Sequence, residues 1–212
     1  MNNVYVFDLD GTLVDSMPSY SRVILEILDE EGIAYGSELI RILTPLGNHK
    51  VAQYYIDHYG LKKSVEEIVD RIERNLIDAY SNLIEAKAGV RELLERLHAR
   101  GDRLFVLTAS PHITTDACLK KNGVFDLFEQ VWSVEDYGIN KSDTRLFYQL
   151  AERIGCGTEE IHYFDDSMVA LTNAKAAGLI TYGVYDAQNE EEIAQMKRDY
   201  DFYVDSFASF AL

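Results

Sequence analysis

The run Val4-Tyr5-Val6-Phe7-Asp8-Leu9-Asp10-Gly11-Thr12 constrains this chain most, because it is an apolar strand that stops in two carboxylates two residues apart. A short apolar run bounded by a turn signal reads as a buried parallel strand, and open α/β sheets bind ligands beyond the carboxyl ends of such strands. Residues two apart on a strand share a face, so Asp8 and Asp10 are expected to point into one volume if the extended backbone persists through Leu9. Two anions about 4 Å apart repel by roughly 4 kcal/mol at an effective dielectric near 20, which requires a hard cation or a shared proton. Gly11 permits a sharp turn or positive φ, and Thr12 adds a hydroxyl. Taken by itself the run also fits a strand-end turn, since Asp and Gly are common turn formers.

The 212 residues suffice for one domain of ordinary size or a domain carrying an insertion. A formal net charge of −16 argues against nucleic acid or an anionic membrane as partner, because both would be repelled. An anionic substrate then needs positive charge supplied locally. Cys118 and Cys156 show no metal-ligand spacing and read as reduced thiols. The amino terminus lacks a basic segment followed by a long apolar stretch, and no run of ~18 apolar residues occurs. Neither secretion nor membrane spanning is expected, and the cytoplasm is the expected compartment.

Along the chain the hydrophobic period changes. Met17 to about Ile84 reads as entirely helical, with turn signals at Glu31-Gly32, Thr44-Pro45-Leu46-Gly47 and Tyr59-Gly60. Val65, Ile68, Ile72, Leu76, Tyr80 and Leu83 recur at three and four residues and draw one apolar face on a long helix. From Ala88 helices and strands alternate: a helix stopping at Gly101, the strand 103–108, a helix to about Asn122, a short apolar piece at Val131-Trp132, a helix over 144–154, the strand 161–164, a helix ending at Gly178, and closing strands over 179–184 and 202–204. Strands separated by helices of roughly 10 to 15 residues indicate βαβ crossovers and a parallel sheet. The economical architecture is α/β: a doubly wound parallel sheet formed by residues 1–15 and 86–212, into which residues 16–85 insert as an all-helical second domain.

Three further places carry polar groups where a strand should end or a helix begin. Thr108 follows Leu104-Phe105-Val106-Leu107 and precedes Ala109, Ser110 and Pro111, so its hydroxyl and the following amides could cradle an oxyanion. Asp165 and Asp166 follow Tyr163-Phe164, again acids at a strand terminus, and Lys141 lies in the loop Gly138-Ile139-Asn140-Lys141-Ser142-Asp143. Each has a plainer reading: Thr108 and Ser110 as helix caps, the acid pair as a capped turn, Lys141 as one more solvated lysine. Their joint occurrence is harder to explain by structure alone.

In that order and on those elements, the chain resembles the haloacid dehalogenase superfamily of phosphotransferases. Asp8-Leu9-Asp10-Gly11-Thr12 looks like its first motif, Thr108 its second, Lys141 its third and Asp165-Asp166-Ser167 its fourth. The helical block between the first and second motifs is similar to the branch with an inserted helical cap on a Rossmann-like core, which includes phosphoglycolate phosphatases and β-phosphoglucomutases. The resemblance implies that Asp8 attacks phosphorus and becomes an aspartyl phosphate, and that Asp10 protonates the leaving alcohol and then takes a proton from water. It implies Mg²⁺ held by Asp8, the main-chain carbonyl of Asp10 and Asp166, with Asp165 assisting. Lys141 would bridge nucleophile and phosphoryl oxygens, while Thr108 and the Ala109 amide bind the remaining oxygens. The partner implied is a small-molecule phosphate ester.

Departures from the family pattern sharpen the expectation. Asp10 favours phosphoryl transfer over halide displacement. The usual proline-containing context after the lysine is here Ser142-Asp143, and Ala170 stands where many relatives carry a further acid. The adjacent acids Asp165-Asp166 look like the mutase-type motif, yet a mutase is expected to carry a cap-side histidine where this chain has Met17-Pro18-Ser19-Tyr20. A hydrolase is expected, with a sugar-phosphate mutase or a non-catalytic binding relative as alternatives. Substrate choice is expected in the cap, where His49 or Lys50 would bind a substrate carboxylate or second phosphate, a solvated helix end being the plainer reading.

Overall fold

Residues 3–44 and 46–210 are described by the structure, a computed structural model; Pro45 of the expected turn at Thr44-Pro45-Leu46-Gly47 lies outside the described residues. The chain divides into two units, Met1–Asp15 with Glu85–Leu212, and Ser16–Ile84. It opens with β1 (Val4–Phe7) and passes through α1 (Met17–Glu30), α2 (Leu39–Leu43), α3 (Asn48–Tyr59) and α4 (Val65–Asn82). It continues with α5 (Val90–Ala99), β2 (Arg103–Thr108), α6 (His112–Lys121), β3 (Gln130–Ser133), α7 (Arg145–Ile154), β4 (Ile161–Asp165), α8 (Met168–Ala176), β5 (Ile180–Val184), α9 (Ile193–Asp199) and β6 (Phe202–Val204).

The six strands form one parallel sheet of order β3-β2-β1-β4-β5-β6, the doubly wound, Rossmann-like α/β arrangement that the alternation predicts. β1 is central, and the strand order runs outward in opposite directions from β1 and β4. The crevice at the carboxyl ends of these two strands is the topological switch point, where such sheets bind ligands. Burial explains why β1 reads as unbroken apolar sequence: Val6 and Phe7 have no exposed surface, and Phe7 stacks on Phe164 with ring centres 4.7 Å apart. Val6, Phe105, Leu107, Phe147, Leu150, Tyr163 and Leu171 belong to one buried cluster. Each fully buried apolar side chain of this kind contributes about 1.5–3 kcal/mol. The helix packed into that cluster, α7, buries Leu146, Phe147, Leu150, Ala151 and Ile154 and ends at Gly155 with φ +79°.

In the helical unit, α4 begins at a reciprocal cap: Ser64 Oγ accepts from the Glu67 amide at 3.2 Å and Glu67 Oε2 accepts from the Ser64 amide at 2.7 Å. Such a cap stabilises a helix by about 1 kcal/mol. The buried face of α4 is Ile68, Val69, Ile72, Ala79 and Tyr80. Leu83, expected on that face, caps the helix just beyond Asn82 and is 50% exposed, although its amide still donates to the Ala79 carbonyl at 2.8 Å. Tyr55, buried on α3, donates to the Ile24 carbonyl of α1 at 2.7 Å. Among the described residues of this unit there is no strand, and no described helix is long and apolar enough to cross a membrane.

Candidate active site

The site begins where β1 stops. The Asp8 amide donates to the Phe164 carbonyl at 2.8 Å, which carries the β1–β4 ladder one step beyond Phe7 and sets Asp8 next to the end of β4. The extended backbone does not persist through Leu9. The amides of Leu13 and Val14 both donate to the Leu9 carbonyl, at 2.9 and 3.0 Å, and Gly11 sits at φ +76°. The turn, rather than strand alternation, brings Asp10 to the cavity that Asp8 lines. That cavity, about 410 Å³, is lined by residues that include Asp8, Asp10, Thr108, Ala109, Lys141, Asp165 and Asp166.

Within it, carboxylate oxygens of Asp8, Asp165 and Asp166 all lie within 4.8 Å of one another. Lys141 Nζ contacts Asp8 Oδ1 and donates to Asp165 Oδ2 at 2.9 Å. Asp165 Oδ1 accepts from the Ser167 amide at 2.8 Å, and Asp165 Oδ2 also accepts from the Tyr163 hydroxyl. Asn189 Nδ2 donates to Asp166 Oδ2 at 2.9 Å and to its main-chain carbonyl at 2.8 Å. A Cβ at Gly11 would lie 2.5 Å from Asp166 Oδ2, so the absence of a side chain there is a condition for the acid cluster.

Thr108 ends β2 and is 1% exposed; its Oγ1 accepts from the Ser110 amide at 3.0 Å and keeps its own proton to donate. Ser110 Oγ donates to Asp10 Oδ2 at 2.6 Å. The sequence favours Ser110 as a helix cap, and only the turn after Leu9 reveals its acid partner. His49 and Lys50 are exposed in the first turn of α3, in the helical unit.

Sequence reasoning passed over a second layer. Lys87 Nζ contacts the Gly11 carbonyl and donates to the Tyr185 carbonyl at 2.7 Å and to Asp186 Oδ2 at 2.9 Å. Asp186 is 4% exposed. Lys87, Asp186 and Asn189 follow no local pattern and meet the first motif only through the fold. Tyr163 could have been found, because it stands two residues before Asp165 on one strand and so shares its face.

Electrostatics favours an added positive charge. Burial pushes the Asp8 carboxyl well above the usual carboxylate range against the pull of Lys141, and Asp165, Asp166 and Asp10 add to the rise. Burial, then Asp165 and Asp186, push Asp166 up to about 7. Burial works against the Lys141 charge, but Asp165 and Asp8 outweigh it and hold the ammonium above its ordinary value. The donors of the cluster are all oxygen, largely buried and mutually repelling, a set that fits a hard divalent cation such as Mg²⁺.

Comparison with known proteins agrees with this geometry. A curated phosphorylated carbohydrates phosphatase of Thermotoga maritima is 24% identical over 87% of this chain and 86% of its own length. A phosphoglycolate phosphatase of Cereibacter sphaeroides is 30% identical over 82% of this chain and 81% of its own. The crystal structure of a Thermotoga maritima protein assigned as a β-phosphoglucomutase shares the fold, with a TM-score of 0.85 at 23% identity, covering 96% of this chain and 94% of that one. The family model described as haloacid dehalogenase-like hydrolase matches residues 5–184, from within β1 to the end of β5. With the strand-end acids all inside that match, the chain belongs to the haloacid dehalogenase-like hydrolase family.

Proposed function

We propose that the chain is a phosphatase that hydrolyses a small-molecule phosphate monoester, with the phosphoryl group carried in transit on Asp8. The observation that carries this reading is Asp8 itself, a buried carboxylate at the switch point contacted by Lys141 in a cavity that Asp10 shares. An oxygen of Asp8 attacks phosphorus, the bond from phosphorus to the ester oxygen breaks, and the Asp10 carboxyl gives its proton to the departing alcohol. Asp10, now a carboxylate, takes a proton from a water whose oxygen attacks the same phosphorus. The bond to Asp8 breaks, inorganic phosphate leaves, and the Asp8 carboxylate is restored.

The surrounding residues support these steps. The Ser110 hydroxyl fixes the Asp10 carboxyl by one oxygen, which orients it for a proton passed twice. Lys141 offers charge to the phosphoryl oxygens, and the Thr108 hydroxyl proton and Ala109 amide bind those that remain. Asp8, Asp166 and the main-chain carbonyl of Asp10 would hold Mg²⁺, with Asp165 assisting, and such a cation would supply neutralising charge for the transferring group. The relatives named for phosphorylated carbohydrates and for phosphoglycolate support a small, anionic ester as substrate. The residues of α1 include no histidine, which favours hydrolysis over the mutase alternative. Substrate choice is assigned to the helical unit, with His49 and Lys50 as candidates for a second anionic group.

Asp8→Asn is expected to abolish Mg²⁺-dependent release of phosphate from an aryl phosphate, and an unchanged rate in pure protein would overturn the reading. Asp10→Asn is expected to retain phosphorylation of Asp8, followed by intact-protein mass, from esters whose leaving group needs no proton. Loss with such esters as severe as with alkyl esters would remove Asp10 from the acid role.

A further inference from the structure

Tyr163 is buried in β4, and no step of the reaction above uses it. Its ring packs edge-on against Phe147, centres 5.2 Å apart, inside the core cluster that also holds Val6 and Leu150. The hydroxyl therefore reaches Asp165 from a ring that the core holds in place.

The acceptors of Asp165 are nearly used up. Each carboxylate oxygen has about two lone-pair sites. Oδ2 accepts from Tyr163 and from Lys141, at 2.9 Å for the latter, and Oδ1 accepts from the Ser167 amide at 2.8 Å. Lys141 Nζ also lies 6.0 Å from the centre of the Tyr163 ring, so the ammonium that binds Asp165 sits near the phenol as well. We infer that Tyr163 is a positioning residue that reserves Asp165 chiefly for Lys141, fixing the ammonium that meets the phosphoryl group and leaving the cation to Asp8, Asp166 and the Asp10 carbonyl. This inference rests on the phosphatase reading above.

Tyr163→Phe removes one oxygen and leaves the packing ring. The full chain is titrated calorimetrically with Mg²⁺ alone, then with inorganic phosphate at saturating Mg²⁺, and its unfolding is followed in urea. The expected result is a cooperatively folded protein whose Mg²⁺ dissociation constant stays within threefold of wild type while that for phosphate rises about tenfold. A phosphate constant within threefold of wild type makes the hydroxyl merely structural, and a Mg²⁺ constant raised threefold or more makes Asp165 a metal ligand. Either overturns the inference, as does failure to fold, since a positioning hydroxyl is not a requirement of the core. A wild-type protein without Mg²⁺-dependent phosphatase activity would instead overturn the phosphatase reading.

Discussion

Gly11→Ala separates backbone strain from damage to the acid cluster, because the chain supplies its own control. Gly11 at φ +76° and Gly155 at φ +79° occupy nearly the same left-handed conformation, yet a Cβ at Gly155 meets nothing within 4 Å while one at Gly11 meets Asp166 Oδ2 at 2.5 Å. A non-glycine residue in that conformation costs roughly 1–2 kcal/mol, and Gly155→Ala is expected to lose that much and no activity. For Gly11→Ala, ordinary contact at 3.4 Å requires Asp166 to retreat by about 0.9 Å from its 2.5 Å approach. That retreat strains the hydrogen bond from Asn189 to Oδ2, worth about 0.5–1.5 kcal/mol, so the total reaches about 1.5–3.5 kcal/mol. A displacement near 1 Å in a positioned group lowers rate by about a hundredfold. Urea unfolding of the two variants and their Mg²⁺-dependent release of phosphate from an aryl phosphate test both figures. Equal destabilisation of the two, or more than a tenth of wild-type activity in Gly11→Ala, would refute the reasoning.

The acid cluster also predicts how metal removal and pH combine. Asp166 is raised from 3.8 to about 7 in the folded chain, chiefly by burial, so between those pH values the folded state holds a proton the unfolded state lacks, and stability falls as pH rises through the window. A cation displaces that proton below pH 7 but binds unopposed above it, so the rise in Tm on replacing chelator with Mg²⁺ should be larger at pH 8 than at pH 5, and equal increments would refute this. Lys87→Met strands the Asp186 carboxylate, 4% exposed, without its ammonium, and removes the donor to the Gly11 carbonyl. A loss of about 3 kcal/mol is expected. Adding Asp186→Asn should recover part of it, and a single variant as stable as wild type would discount the clamp.

What was legible in the sequence followed from constraints that act locally. β1 is buried on both faces, so it had to be continuously apolar, and the first polar residue after it had to mark the carboxyl end. β4 was read one residue short because Asp165 is charged, but its partners Lys141, Tyr163 and the Ser167 amide allow a carboxylate to close a buried strand. Leu83 shows the opposite limit: periodicity assigns it to the buried face, yet as the capping residue just beyond Asn82 it is 50% exposed. Ser110 reads as a cap because a hydroxyl ahead of a helix usually is one, and its partner Asp10, 100 residues away, leaves no local signal. Lys87 and Asp186 were invisible because a salt bridge between residues 99 apart leaves no spacing to recognise.

Net charge looks at first like an argument against any anionic substrate, and the site turns it into a condition on the metal. Asp8, Asp165 and Asp166 bring three carboxylates within 4.8 Å, and Lys141 answers Asp8 and Asp165 by direct contact. Lys87 is engaged by Asp186 and two main-chain carbonyls, so it steadies the Gly11 turn rather than the substrate. Asp166 then has an amide from Asn189 but, among the described residues, no ammonium in contact, and burial raises its carboxyl to about 7. A phosphoryl group arriving there adds further negative charge, so substrate and cation should bind with positive coupling: phosphate affinity should fall sharply on chelation, while Mg²⁺ alone still binds the acids. The chain's charge of −16 therefore does not exclude a phosphate ester; on the proposed reading it would make the ester's binding depend on a cation that Asp166 would help to hold.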